Sequence, residues 1–204
     1  MAGPDMFLER SSRVPVMAIL RGFDPRRTLE LCERAWDLGI ELVEVPIQSS
    51  EAVNTLALAA EAASHRGAVV GAGTVTTMER LSAAVSAGAA FTVAPGLDPL
   101  IVEASRDAGL PHLPGVGSAT EVGRALQLGV TWLKAFPAYE LGTGWAGAMH
   151  GPFPEAHFVA TGGVTVANAE SFLSGGSDIV SLGSALADDA QFALLPDLIE
   201  RLGK

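Results

Sequence analysis

Two ionisable residues stand inside apolar runs, where a charge is out of place. Lys134 lies in Thr131-Trp132-Leu133-Lys134-Ala135-Phe136-Pro137, and Glu44 lies in Leu42-Val43-Glu44-Val45. The chain has only two lysines, the other being Lys204, while arginine supplies the remaining positive charge, so Lys134 is not one of many surface lysines. Desolvation among Trp132, Leu133 and Phe136 disfavours an ammonium and frees the amine's lone pair nearer neutral pH. A neutral amine in an apolar pocket is a nucleophile for carbonyl carbon, the chemistry of Schiff-base enzymes. A carboxylate in an apolar strand is costly unless paired or protonated, and beside such a lysine it reads as a general acid and base. Plainer readings stand next to these: a lysine whose stem packs along the strand with its head at solvent, and a buried carboxylate that only neutralises it.

The elements that must position this pair follow one another with a regular beat. Continuous apolar runs predict strands at 14–20, 41–45, 68–71, 91–93, 111–113, 131–136, 157–160 and 179–182. Between them, helical patterns cover 25–38, 50–63, 77–87, 98–108, 119–128 and 166–173, with a weak helix within 142–150, a last helix at 190–202 and a short amphipathic start at 5–10. Several of these helices run into a glycine that suits a C-terminal cap: Gly39, Gly88, Gly109 and Gly129. Strands that are apolar throughout belong to a parallel sheet covered by helices on its faces. Eight β-then-α units in 204 residues predict an α/β fold, a single (β/α)8 TIM barrel with a short N-terminal helix, spanning 1–204 as one domain. An open doubly wound sheet is the alternative and rarely packs eight regular units into so short a chain.

Composition narrows the function. The formal charge of -10 and pI near 4.8, with no cluster of lysine and arginine, argue against a nucleic-acid surface. Hydrophobic residues make up 49% of the chain, yet no stretch reaches the roughly 18 uninterrupted apolar residues of a membrane span. The expectation is a soluble protein of the cytoplasm: no basic segment leads into an apolar run at the N-terminus, and the single Cys32 falls in a helical pattern. His65, His112, His150 and His157 have no metal-ligand spacing, so no metal or other cofactor is expected, and packing is the role read for them and for Cys32.

In a barrel of this type the chemistry sits at the C-terminal ends of the strands. That rule gathers Arg21, Gln48, Thr74, Pro95, Phe136, Thr161, Gly162, Gly163, Gly183 and Ser184 around Glu44 and Lys134. Arg21 either grips an acidic substrate group with two prongs or pairs with Glu44. Glycine pairs after the seventh and eighth strands, Gly162-Gly163 and Gly183-Ser184, stand where such barrels bind phosphate through backbone N–H groups. In an acidic chain with few cations they read as a phosphate site, although either pair alone would read as a tight turn. Gly71-Ala72-Gly73 lacks the spacing of a dinucleotide fingerprint.

The ordered motifs Ala-Ile-Leu-Arg-Gly (18–22), Val-Glu-Val-Pro (43–46), Gly-Ala-Gly-Thr-Val (71–75), Ala-Pro-Gly (94–96), Leu-Pro-Gly (113–115), Leu-Lys-Ala-Phe-Pro-Ala (133–138), Gly-Pro-Phe-Pro (151–154) and Thr-Gly-Gly-Val (161–164) run through nearly the whole chain. Together they resemble the 2-keto-3-deoxy-6-phosphogluconate (KDPG) aldolase family. The resemblance implies a homotrimeric class I aldolase that splits a 2-keto-3-deoxy-6-phospho sugar acid into pyruvate and glyceraldehyde 3-phosphate without a metal. It implies that Lys134 forms the Schiff base, that Glu44 moves protons, and that Arg21 and Thr74 hold the pyruvyl carboxylate end. Pro95 and Phe136 would wall the pocket, and Thr161, Gly162, Gly163, Gly183 and Ser184 would receive the sugar and phosphate end. Two departures bear on the substrate. Gln48 stands where the gluconate branch often has arginine and the galactonate branch an amide, whereas Thr161 is the gluconate-type residue; the stretch 142–149 lacks a lysine that many members carry. Two other classes remain open at this point. Another phosphate-binding barrel, an isomerase or a thiamine-phosphate-synthase-like transferase, would share the glycine pairs without needing Lys134 opposite Glu44, and a catalytically silent binding barrel could lose either residue.

Overall fold

The computed structural model describes residues 6–183, 186 and 188–202. Its strands are β1 (Val16–Ile19), β2 (Leu42–Pro46), β3 (Val69–Gly73), β4 (Thr92–Val93), β5 (His112–Leu113), β6 (Gly115–Val116), β7 (Trp132–Ala135), β8 (His157–Ala160) and β9 (Ile179–Leu182). All pair in parallel in one sheet of order β5-β4-β3-β2-β1-β9-β8-β7-β6. The two ends of that order are neighbours in the chain. Pro114, which has no N–H to give a ladder, separates β5, the expected fifth strand, paired with β4, from a continuation beyond its expected bounds, β6, paired with β7. The Lys134 N–H donates to the Pro114 carbonyl at 2.9 Å. Nine strands thus fill eight places, and the barrel nearly closes across a proline.

The helices lie between the strands: α1 (Met6–Ser11), α2 (Pro25–Asp37), α3 (Ser50–Arg66), α4 (Met78–Ser86), α5 (Pro99–Asp107), α6 (Ala119–Gln127), α7 (Ala138–Leu141), α8 (Trp145–His150), α9 (Ala169–Ser174), α10 (Asp189–Phe192) and α11 (Leu195–Leu202). Six begin on a side chain that accepts a hydrogen bond from the first turn: Asp24, Ser49, Thr77, Asp98, Ser118 and Asp188. The weak helix expected in 142–150 is α8, and a second short helix, α7, which the sequence reading did not anticipate, precedes it at Ala138–Leu141. The helix expected at 166–173 begins only at Ala169, after a turn in which Asn168 Oδ1 accepts from the Thr165 N–H at 2.7 Å. The last helical stretch divides into α10 and α11.

Strand periodicity sorts the core into two layers. Val16, Ala18, Val43, Val45, Val70, Ala72, Val180 and Leu182 face outward and pack on Leu31, Cys32, Ala35, Leu56 and Ala59 of the helices. Met17, Leu42, Phe91, Val93, Leu113, Trp132, Val159 and Ile179 face inward, joined by Met6 and Phe7 of α1. Phe7 meets Phe91 edge-on at 5.4 Å and lies 5.7 Å from Trp132, so the first helix plugs one mouth of the barrel. Leu42 and Trp132 stand two residues before Glu44 and Lys134 on the same faces, which makes this apolar layer the floor beneath them.

The lone cysteine and three of the four histidines take packing roles. Cys32 is buried, and desolvation pushes its thiol up to about 12. His112 is buried with Nδ1 2.8 Å from Thr92 Oγ1, and burial pushes its imidazole down to about 4. His157 stacks on Trp132 at 4.6 Å with Nδ1 3.1 Å from Asp178 Oδ1, and His150 Nε2 lies 2.8 Å from the Gly176 carbonyl. Among the described residues no helix is long and apolar enough to cross a membrane, and no group of three His, Cys, Asp or Glu side chains is placed to hold a metal ion.

Candidate active site

Glu44 and Lys134 each occupy an inward-facing position of a strand, 1% and 4% exposed, above the floor of Met17, Leu42 and Trp132. β2 holds Glu44 between Ile19 of β1 and Gly71 of β3, and β7 holds Lys134 between Gly115 of β6 and Val159 of β8. Both carboxyl oxygens of Glu44 are buried without a hydrogen-bond partner among the described residues. Among the described residues no ion pair joins Glu44 or Lys134 to each other or to any other group. A structural lysine and its neutralising carboxylate would have closed on one another, since two buried charges left apart are costly. Lys134 Nζ instead lies 5.4 Å from the centre of the Phe136 ring, which stands two residues on and rises over it toward the mouth.

Missing side chains make the room. A Cβ at Gly73 would overlap the Glu44 carboxyl, a Cβ at Gly71 would overlap the Phe91 ring, and one at Gly115 would overlap the Pro95 carbonyl. The glycines of β3 and β6 therefore let one long acidic side chain lie folded against the barrel wall and let the loop after β4 approach the split strand.

Around the mouth, Arg21 and Gln48 meet: Arg21 Nη1 donates to Gln48 Oε1 at 3.5 Å, both side chains exposed. The alternative pairing of Arg21 with Glu44 does not form, because Arg21 lies at the rim while Glu44 is enclosed. Thr74, half-buried, follows β3 with φ 61°, and Pro95 is exposed at the end of β4. Thr161 is buried beyond β8, and its Oγ1 donates to Ser181 Oγ at 3.0 Å. Of the second glycine pair, Gly183 is half-buried and Ser184 lies outside the described residues.

Gly162 and Gly163 take φ values of 95° and 74°, open to glycine and strained for other residues. The carbonyls of Thr161 and Gly162 are turned away, accepting from the N–H groups of Ala138 (2.7 Å) and Tyr139 (2.9 Å). The Gly162 and Gly163 N–H groups have no backbone or side-chain acceptor among the described residues. Consecutive open amides in a left-handed turn form a concave donor site that suits an anion. Asn168 braces this turn, donating Nδ2 to the Gly163 carbonyl at 3.1 Å, and the base of the Tyr139 side chain packs where a Cβ on Gly163 would go.

The barrel gathers eleven of the twelve residues singled out from the sequence, with Ser184 left aside. Sequence reasoning missed Ser181, Asn168 and Tyr139. Ser181 had a legible signal, an inward position two residues before Gly183; Asn168 and Tyr139 act through a turn whose path only the structure gives. The assembled chemistry is an amine and a carboxyl above an apolar floor, a guanidinium at the rim, and open amides at the end of β8: covalent capture of a carbonyl compound that carries anionic ends.

Residues 8–197 match the protein-family model described as aldolase, KDPG and KHG aldolase. The 2-dehydro-3-deoxy-phosphogluconate aldolase of Treponema pallidum (strain Nichols) is 34% identical over 190 residues, 89% of this chain and 88% of that protein. The 2-dehydro-3-deoxy-6-phosphogalactonate aldolase of Escherichia coli (strain K12) is 30% identical over 180 residues, 88% of this chain and 87% of that protein. Among solved structures, the KDPG aldolase of Legionella pneumophila, with pyruvate captured as a covalent carbinolamine, superposes with a TM-score of 0.83 at 26% identity, covering 100% of this chain and 99% of that one.

Proposed function

The chain belongs to the KDPG and KHG aldolase family and is a lyase, and on that premise we propose that Lys134 and Glu44 carry out a class I aldol cleavage of a 2-keto-3-deoxy-6-phospho sugar acid. The observation that carries the reading is the pair itself: a buried amine and a buried carboxyl in one apolar barrel, neither in an ion pair nor a side-chain hydrogen bond among the described residues. Lys134 Nζ attacks the C2 carbonyl, and the carbinolamine loses water to give an iminium, with Glu44 supplying and retrieving protons. Glu44 then takes the C4 hydroxyl proton as the C3–C4 bond breaks. The aldehyde half leaves as glyceraldehyde 3-phosphate, and the bonding pair passes into an enamine with the iminium as electron sink. Protonation at C3 and hydrolysis of the imine release pyruvate and restore the amine. Arg21, steadied by Gln48, and Thr74 receive the carboxylate, while Pro95 and Phe136 wall the pocket. The open amides of Gly162 and Gly163, with Gly183 and Ser184, receive the phosphate.

Between the two six-carbon epimers the reading favours the gluconate-derived acid. Thr161 Oγ1 directs its proton within the barrel, toward Ser181 Oγ at 3.0 Å and the Val159 carbonyl at 3.4 Å, and keeps lone pairs to accept from a substrate hydroxyl. Gln48 is a weaker anchor than an arginine, so selectivity is relaxed. The family resemblance also implies a homotrimer, for which Met78, Val85 and Leu100, exposed on the consecutive helices α4 and α5, offer apolar surface. Light scattering is expected to give the mass of three chains; the mass of one chain would contradict it.

Glu44→Gln keeps the shape of the side chain and removes its proton chemistry. The variant is expected to fold while kcat drops by about 10²- to 10⁴-fold, and imine formation with pyruvate persists slowly. Near-parental kcat in the folded variant would exclude Glu44 from proton transfer. The anion end is best probed at Gly183, where a Cβ meets only ordinary contacts at 3.7 and 3.8 Å, unlike Gly163, where it would strike Tyr139. Gly183→Ala should raise KM for the phosphorylated acids by about tenfold, the scale of a lost charge-assisted hydrogen bond. KM for unphosphorylated 4-hydroxy-2-oxoglutarate should be unmoved, and equal effects on both would remove the phosphate assignment. On the same substrates Thr161→Val should change the epimer ratio by at least about fivefold, and an unchanged ratio would show that Thr161 does not set the choice.

A further inference from the structure

Thr74 is the one residue other than glycine, among those described, with a positive φ, 61°. A β-branched residue is disfavoured there by contact between its side chain and its own backbone, so the conformation persists only where the surroundings hold it. Two main-chain bonds hold the flanks: Ile47 N–H to the Gly73 carbonyl at 2.9 Å, and Val75 N–H to the Val93 carbonyl at 3.0 Å. The third holder is Arg80, the third residue of α4. Its Nη1 donates to the Thr74 carbonyl at 3.3 Å and to Thr76 Oγ1 at 2.7 Å. Its backbone N–H donates to Oγ1 of Thr77, the N-cap of the same helix, at 3.3 Å. One residue therefore ties together three of the four residues from 74 to 77. On the barrel side of the same turn, Gly73 lies against the Glu44 carboxyl.

We propose that Arg80 is a positioning residue for the aldol cleavage: by clamping the Thr74 carbonyl it holds the left-handed turn that aims Thr74 at the carboxylate end of the keto acid. This rests on Thr74 as a carboxylate ligand, the reading given above, and adds a residue that touches no substrate. Arginine suits the task because its rigid fork presents several donors at once, so one guanidinium spans a carbonyl and a hydroxyl two residues apart. A turn left to Thr74 alone would relax toward negative φ and carry both its side chain and its N–H away from the pocket.

The test is steady-state kinetics on Arg80→Met, Arg80→Lys and Thr74→Val, with thermal unfolding recorded for each. Arg80→Met is expected to stay folded with KM for the keto acid raised about three- to tenfold, the scale of one lost hydrogen bond, and kcat within about twofold of the parent. Arg80→Lys, which keeps one donor group, should fall between. A merely structural role would lower the unfolding temperature without moving KM, so a parental KM in folded Arg80→Met overturns the proposal. Should Arg80→Met fail to fold, Arg80→Lys and Arg80→Gln carry the same comparison. Thr74→Val separates the two layers of the inference. A raised KM there with parental KM in the Arg80 variants overturns the positioning role and keeps Thr74 as a ligand. Parental KM in Thr74→Val with raised KM in the Arg80 variants removes the Thr74 hydroxyl from binding and supports a hold exerted through the backbone of the turn.

Discussion

An amine and a carboxyl buried in the same barrel without closing into an ion pair set the terms for everything around them. Removing an ionisable group from water is expensive, and the expense is recovered only by a partner, by neutralisation, or by a task that needs the group. Among the described residues Glu44 has neither oxygen satisfied, and Lys134 faces an aromatic ring. Holding them so requires a rigid wall, which the apolar layer of Met17, Leu42, Trp132 and Phe7 supplies from below. It also requires space, which Gly71, Gly73 and Gly115 supply from the sides. The site is less an addition to the barrel than a place where the barrel has been emptied.

Charge is distributed to the same end. With a formal charge of -10 the molecule repels an anionic substrate at long range, so attraction has to be local. Several arginines are tied to carboxylates on the outer face: Arg10 to Glu41, Arg27 to Glu30, Arg66 to Glu33 and Asp37, Arg201 to Glu170. Arg21 instead takes a neutral amide as its partner, and its charge stays available at the mouth. Beyond the next strand, at the end of β8, the amides of Gly162 and Gly163 offer donors that need no cation. A carboxylate at one end and a phosphate at the other would find unlike receptors, which fixes the direction in which an elongated keto acid enters.

Much of this was legible in the chain because the strands of a parallel barrel are buried on both faces and read as uninterrupted apolar runs. Two strands, 157–160 and 179–182, emerge with the bounds expected, and a charge within such a run, as at Lys134 and Glu44, announces itself. The fifth strand was read only to Leu113, since its continuation past Pro114 is two residues long and has no periodicity to detect. The short helices α7, α9 and α10 were blurred for a similar reason: four to six residues carry less than two turns of pattern. Period-two reading gives the face on which a residue lies and never its partner, so Thr161 was found without Ser181, and Arg21 was matched with an acidic substrate group or Glu44 and not with Gln48. The left-handed backbone of Thr74 has no counterpart in composition, because threonine ordinarily argues against it.

The account stands or falls on the reactivity of one side chain. Incubation of the protein with pyruvate and sodium borohydride, followed by peptide mapping by mass spectrometry, should place a reduced pyruvyl adduct on Lys134, with loss of the adduct in Lys134→Met. An unmodified chain, or an adduct confined to Lys204 or the N-terminal amine, would contradict it.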